Sequence, residues 1–558
     1  MMRKDLTNGN GLMSAMQGVS RISVSIAILI VALFTFSIPA RATLPNKTLV
    51  YCSEASPRGF DPAQSTTPVE YTASAFTVYN RLIEFERGTT NIGPGLAVYW
   101  DISPDGLAYT FYLRRGVKFH TTSFFKPTRD FNADDVVFTF ERMHDPEHPF
   151  RKAYPVSFPY FSNLGLDKEI AKIEKLDSYT VRFTLKSANA PFLMNLGLAF
   201  ASILSAEYAE QLLKTGKAAN INWWPVGTGP FIFSSYSREA QIEDSLIRFD
   251  GNPNYWKRAD VQISKLVFLI VPNPMWRFYK LKRNECQVMS YPRPSDLASI
   301  EANPNLRLLT QPGLSLTYLA YNVSHEPLNS VLVRRALDMA INKKAIIAAA
   351  TKSREGVARI ASSPIPPALW SHDETLKDAP YDLQKAKALL TQAGYPNGLS
   401  ISLWTSQTQR YYNPRRIAEM VRDDWKKIGV EAKIVFHEWG EYIKRAQAGE
   451  HDVLLIGWTG NSDPDDWFGP MLTCDATSGI NYSKWCHPAF DALIKIARQT
   501  NDIDKRIILY QEAQQLFKRE LPFTPIAYAS VYQPINKNVT NFKINPLSAI
   551  LFMGVGLK

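Results

Sequence analysis

Cysteine is scarce in this chain: Cys52, Cys286, Cys474 and Cys486 are the four among 558 residues. None stands in a CxxC or Cys/His pattern, which argues against a structural zinc site. GxSxG and phosphate-loop motifs are missing. His144-Asp145-Pro146-Glu147-His148 superficially resembles a metal-binding helix, but Pro146 breaks the helix that would put both histidines on one face. Arg-rich helices and basic runs interleaved with aromatics are also lacking, so the formal charge of +11 does not describe a nucleic-acid surface. No internal repeat and no low-complexity linker interrupts the chain. At this length, that suggests domains joined by crossing strands rather than beads on a string.

Long uncharged apolar runs are confined to the N-terminus. Arg3, Lys4 and Arg21 precede Ile22 to Phe36, and Ala40-Arg41-Ala42 follows. A basic leader, an apolar core and a small-x-small site predict a signal peptide cut after Ala42. The run is short for a membrane span of ~20 residues. Residues 1–42 hold four Lys or Arg and one Asp, so +11 becomes +8 without them. An exported chain with an even cysteine count favours disulfides. Cys474 and Cys486 flank a short polar loop and form the natural local pair, which leaves Cys52 and Cys286 to pair across a long separation.

What is present centres on Val453 to Phe468. The run VLLIGW has the length and composition of a buried strand. Gly460, Asn461, Ser462 and Pro464 then predict a loop. Asp463, Asp465 and Asp466 are thereby delivered beside Trp458 and Trp467, a setting that suits a ligand carrying an ammonium group. Asp as a turn and cap residue is the plainer alternative. Elsewhere TLVYC, residues 48–52, reads as a strand. Trp100 to His120 reads as a hairpin around Pro104-Asp105-Gly106. Asn132 caps a helix with two acids in its first turn. Ser330 to Asn342 has one apolar helical face, and Gln384 to Ala393 ends at Gly394. Strand and helix alternate over 399–458, which predicts an α/β lobe.

The segments GLAVYWDISPDGLAYTFYLRRGVKFH and FNADDVVFTFER carry a resemblance to the solute-binding proteins that feed bacterial peptide importers, family 5. Further landmarks follow in order: Pro225-Val226-Gly227-Thr228-Gly229-Pro230-Phe231, then Asn322, Pro327, Val333-Arg334 and Ala340-Ile341-Asn342. Tyr381-Asp382, Lys385-Ala386-Lys387, Leu389-Leu390 and Ala393-Gly394 complete them. The resemblance covers residues 43–558. LVYCSE, NECQVM, RIAEMV, GEYIKRA and NYSKWC bring it closest to the dipeptide-binding branch of Gram-negative bacteria.

The resemblance implies an α/β fold of the periplasmic-binding-protein type, with two lobes, an extra inserted domain and strand crossovers at the hinge. The first domain is expected to be discontinuous, at 43–85, 222–312 and 528–558. The second, 86–221, is inserted, and 313–527 forms the second lobe. The expected function is capture of dipeptides or short peptides in the interlobe cleft and delivery to an inner-membrane ABC permease. No catalysis, metal or cofactor is implied, and the protein is expected to be a periplasmic monomer. Haem, glutathione and antimicrobial peptides are alternative cargoes of the same fold, with haem as a transported ligand. A secreted carboxylate-dependent hydrolase is the distant alternative. The implied disulfides are Cys52–Cys286 and Cys474–Cys486, the same pairing that spacing suggests.

For the site, the family's carboxylate-binding arginine falls on Arg410, and Tyr412 matches a further binding position. The aspartate that meets the ligand's ammonium falls on Asn461, in a loop one residue shorter than in relatives. Asp463, and after it Asp465, is expected to take that role. Pro68 replaces a glycine of the N-terminal loop. Trp458, Trp467 and Tyr412 offer flat faces for varied side chains, while Ser65, Thr66 and Thr67 are expected to meet the ligand from the opposite lobe.

Overall fold

The run TLVYC does form a strand, and it sits inside a sheet rather than at its edge. The computed structural model describes residues 47–237, 245–351, 356–406, 414–437, 439–547 and 549–558. The expected signal peptide and the segment carrying Arg410 and Tyr412 lie outside them. In chain order the elements used below are β1 (Thr48–Ser53), α1 (Pro68–Ala73), β2 (Ala97–Ile102), β3 (Ala108–Leu113), α2 (Ala133–His144), β4 (Ile170–Asp177), β5 (Thr180–Leu185), β6 (Phe231–Ser237), β7 (Leu246–Gly251), β8 (Lys265–Ile270), α3 (Pro274–Lys282), β9 (Val288–Met289) and β10 (Leu306–Tyr321). Then come α4 (Val331–Met339), β11 (Ala358–Ile360), α5 (Leu383–Gln392), β12 (Leu399–Ser406), α6 (Pro414–Lys426), β13 (Val430–His437), β14 (Val453–Thr459), α7 (Asp465–Leu472), α8 (Pro488–Gln499), α9 (Ile503–Glu520) and β15 (Phe523–Asn536).

One mixed sheet runs through the molecule in the order β13-β12-β14-β10-β15-β9-β1-β8-β7-β6, with β11 added against β15. β1 pairs with β8 and β12 with β13 in parallel, and α6 makes the crossover between β12 and β13. A separate antiparallel sheet, β2-β3-β5-β4, comes from the inserted region. Its first hairpin pairs Trp100 with Phe111 around Gly106, whose φ of +69° suits glycine in the turn.

Side-chain alternation decides where each strand buries its residues. In β14, Leu454 and Ile456 enter one core with Trp404, Tyr442 and Phe468, whereas Val453 and Leu455 enter another with Leu337 and Trp425. Both faces are covered, which explains the unbroken apolar text VLLIG. β10 follows the same rule, with Leu316, Tyr318 and Ala320 on one side and Leu319 and Tyr321 on the other. A third core fills the other half of the molecule, uniting Leu49 and Tyr51 with Phe111, Phe183 and Phe231.

Two long antiparallel strands pass between the halves. β10 has 16 residues and β15 has 14. Leu306, at the start of β10, packs with Cys52, Cys286 and Met289, while its far end lies in the second half. The register slips between Pro312 and Leu316, midway along the crossing.

Helix ends match their sequence signals. Asn132 accepts from Asp134 N–H while the Asp135 carboxylate accepts from Asn132 N–H, a reciprocal cap on α2. Asp382 caps α5 through Lys385 N–H, and Gly394 ends it at φ +95°. The helix expected to reach Asn342 ends instead at Met339, with Ala340 and Ile341 still buried. Disulfides join Cys52 to Cys286 and Cys474 to Cys486, and no free cysteine occurs. Among the described residues no helix is long and apolar enough to cross a membrane.

Candidate functional site

Residues 461–467 are not one loop. The loop after β14 is short, and α7 begins at Asp465 with Pro464 at its N-cap. Proline is favourable beside a helix start, and acids suit a first turn. The site acids therefore stand at a helix entrance, held by more partners than a solvated loop would supply.

Each acid has a different environment. Asp463 accepts from Arg506 Nη2 at 2.8 Å, and both side chains are buried. Arg506 in turn donates to Tyr510 Oη at 2.9 Å and lies over the Trp370 and Tyr510 rings. Burial would lower the Arg506 pKa, but Asp463 and Tyr510 more than offset this and hold it above its ordinary value. Asp465 accepts from Arg498 Nε at 2.7 Å. Burial pushes the Asp465 carboxyl up, and Arg498 only partly opposes this. Asp466 accepts from Asn461 N–H at 2.8 Å. Burial drives its pKa to about 7, opposed by that N–H and reinforced by Asp465 and Asp463.

Trp467 is fully buried in the core, and its Nε1 donates to Asn461 O at 3.0 Å. The Asn461 backbone is thus clamped at both ends, by Asp466 and Trp467. Trp458 pairs with Leu316 in the β14–β10 ladder and is half-buried. Its Nε1 is buried without a hydrogen-bond partner among the described residues.

A cavity of about 420 Å³ opens beside this helix entrance. Thr66, Pro68, Tyr71 and Phe76 form one side, Tyr160, Leu198 and Phe200 come from the inserted region, and Leu314, Thr459, Gly460 and Asn461 form the opposite side. Tyr291 and Leu547 complete its rim. Tyr71 donates to Ser65 O at 2.9 Å and meets Tyr160 edge-on. Thr66 N–H and Thr67 N–H both donate to Glu70 Oε2, which fixes the start of α1.

Of the expected binding residues, the structure brings Thr66 and Asn461 into the cavity wall. Thr67 is engaged as the cap of α1. Asp463 and Asp465, the expected ammonium partners, do not line the cavity, because each is held by an arginine of the α8–α9 region. Trp467 does not line it either, since its ring fills the core. Arg410 and Tyr412 lie outside the described residues. Sequence reasoning missed Tyr71, Tyr160, Phe200 and Tyr291. No local pattern marks them, since they meet only when separate segments fold together. No group of His, Cys, Asp and Glu among the described residues could hold a metal.

Comparison with known proteins agrees with this architecture. The model of bacterial extracellular solute-binding proteins, family 5 Middle, matches residues 91–479. Di/tripeptide-binding protein 1 of Pseudomonas aeruginosa is 55% identical over 512 residues, which covers 91% of this chain and 94% of that protein. The structure of HbpA2 from Haemophilus parasuis aligns with TM-score 0.87 at 42% identity, covering 92% of this chain and 100% of that one. A Pseudoalteromonas dipeptide-binding protein in complex with Met-Leu aligns with TM-score 0.72 at 37% identity, again over 92% and 100% of the two chains. These neighbours share the two-lobed architecture of periplasmic binding proteins. The chain belongs to the bacterial extracellular solute-binding proteins of family 5.

Proposed function

We propose that this protein captures dipeptides or other short peptides between its two lobes and delivers them to an inner-membrane ABC permease. The observation that carries this reading is a cavity whose walls come from both halves, with Thr66 and Tyr71 facing Asn461 and Leu314. Such a cavity links ligand capture to lobe closure, because the ligand bonds to both walls only when they meet. The similar proteins described above, a di/tripeptide-binding protein and a dipeptide-binding protein in complex with Met-Leu, support a peptide as cargo.

In this reading the inserted domain, 86–221, moves with the segments 43–85, 222–312 and 528–558, against the lobe formed by 313–527. The strands β10 and β15 are the crossings. The protein works in the periplasm after export, as a monomer without cofactor and without catalysis. Arg410 receives the peptide carboxylate, for which a planar guanidinium can make two parallel bonds. Backbone groups of an extended peptide are held as in strand addition.

Calorimetry with a panel of dipeptides, and with haem as competitor, tests the reading. Dipeptide binding with an Arg410→Ala loss of about 2–5 kcal/mol is expected, the usual range when a charge pair loses one partner. Haem binding with no peptide binding would overturn it.

A further inference from the structure

Tyr291 has a backbone that tyrosine rarely adopts. Its φ is +38°, in the left-handed region where a Cβ is crowded, and Pro292 follows it. A residue before proline favours extended backbone, so the conformation is disfavoured on two counts. The surroundings nevertheless fix it firmly. Arg277 of α3, itself 3% exposed, donates to Ser290 O at 3.1 Å and to Tyr291 O at 3.2 Å. The same guanidinium holds Val271 O and Pro272 O at 2.8 and 2.7 Å. Ser290 N–H donates to Cys52 O, and Gln533 of the crossing strand β15 donates to Met289 O at 2.7 Å. A strained residue that is over-determined by its neighbours, at a cavity rim, points to use of its side chain.

Tyr291 is 50% exposed and stands at the rim of the interlobe cavity. Among the described residues no charged side chain lines this cavity, and five of the lining residues are aromatic. An uncharged wall of rings has no counter-charge to offer an ion. It does offer apolar area and edge or face contacts to another ring.

We propose that Tyr291 is a specificity-determining residue whose ring makes this cavity a subsite for a large uncharged side chain, aromatic above all, of the bound peptide. The inference rests on the peptide reading above. It gives the strained backbone a role: a relaxed residue at 291 would aim its side chain elsewhere, and the cavity would lose one wall.

The test uses Tyr291→Gly and Tyr291→Phe with two probes, Ala-Phe and Ala-Ala, by calorimetry, alongside thermal unfolding. Glycine accepts positive φ without strain, so Tyr291→Gly is expected to melt no lower than the natural protein. The natural protein should prefer Ala-Phe by about tenfold, the scale of one aromatic contact with its buried area. Tyr291→Gly should reduce that preference to near parity, while Tyr291→Phe should keep it. An unchanged preference in the glycine variant, or parallel loss of both probes, would sink the inference and leave the peptide reading standing. Failure of the natural protein to bind either probe would strike both.

Discussion

Arg506 Nη2 lies 2.8 Å from Asp463 Oδ1, with the two side chains 4% and 3% exposed. They are 43 residues apart in sequence, and the contact ties the entrance of α7 to α9. Breaking a buried pair leaves one charge without its partner, which typically costs about 3–5 kcal/mol. Asp463→Ala is therefore expected to lower the unfolding free energy by an amount in that range, seen as a lower denaturant midpoint, with Arg506→Ala similar. The double variant should cost less than the sum of the two. An Asp463→Ala protein with an unchanged midpoint and no dipeptide affinity would instead make Asp463 a ligand partner.

Asp466 predicts an unusual pH dependence. Its carboxyl titrates at about 7 in the fold, against an ordinary 3.8, mainly through burial. An acid whose folded pKa is raised stays protonated in the native state after the unfolded chain has ionised. Between about pH 4 and 7 the unfolded state thus binds fewer protons, and this group's contribution to stability declines as pH rises. The decline is complete above 7. Asp466→Asn keeps a carbonyl oxygen for the Asn461 N–H and removes the titration. It should be more stable than the natural protein at pH 8, by on the order of 2–4 kcal/mol, and match it at pH 4. Urea unfolding of both proteins at these two pH values measures the difference directly. A constant difference at both would rule out Asp466 as its source.

These two acids also show what the sequence could convey. The unbroken apolar run of β14, the caps at Asn132 and Asp382, and the stop at Gly394 are local physics, and each appears where its residues stand. The ring of family landmarks carried the rest of the fold. The acids of α7 were visible as a cluster, but their arginine partners lie in another part of the chain and follow no spacing rule. A cluster read in isolation resembles a ligand site, whereas the folded cluster is largely self-neutralised. Tyr291 was invisible for the opposite reason. Its backbone conformation is imposed by Arg277 and Gln533 through tertiary hydrogen bonds, against its own propensity.

The two disulfides should contribute unequally. Cys52–Cys286 closes a separation of 234 residues and Cys474–Cys486 one of 12. In the loop-entropy account the longer closure constrains the unfolded chain more, with either bridge worth about 2–5 kcal/mol. Cys52–Cys286 also sits in a core with Phe278, Leu281 and Ile300, so its loss disturbs packing as well. Paired serine variants, compared by urea unfolding, should show the larger drop for Cys52→Ser with Cys286→Ser. A larger drop for the short loop would show that native-state packing around Cys474–Cys486, not chain entropy, dominates.

Tyr109 offers a test of closure that touches no ligand. It sits on β3 in the inserted sheet, fully buried, with its ring edge on Phe192 at 4.8 Å. Its Oη donates to Asn189 O at 3.0 Å and lies 3.2 Å from Asn501 Oδ1, in the segment between α8 and α9. Beside it, Ala190 N–H donates to Arg498 O at 2.6 Å. The Asn189 bond stays within the region between β1 and β6, whereas the Asn501 and Arg498 contacts join that region to the α8–α9 segment. In the hinge reading these joining contacts exist when the lobes meet, so their energy adds to the closed population and through it to affinity. Tyr109→Phe keeps the ring packing and removes the hydroxyl. The loss of one hydrogen bond, about 0.5–1.5 kcal/mol, should weaken dipeptide binding by roughly threefold to tenfold. The change should appear as faster dissociation in stopped-flow traces, because the bond forms after encounter. The melting temperature of the ligand-free protein should fall only by the share of the Asn189 bond, which opening does not break. A lower melting temperature with unchanged affinity would mean that the contact persists in every lobe arrangement, and closure would then have to be sought at another interface.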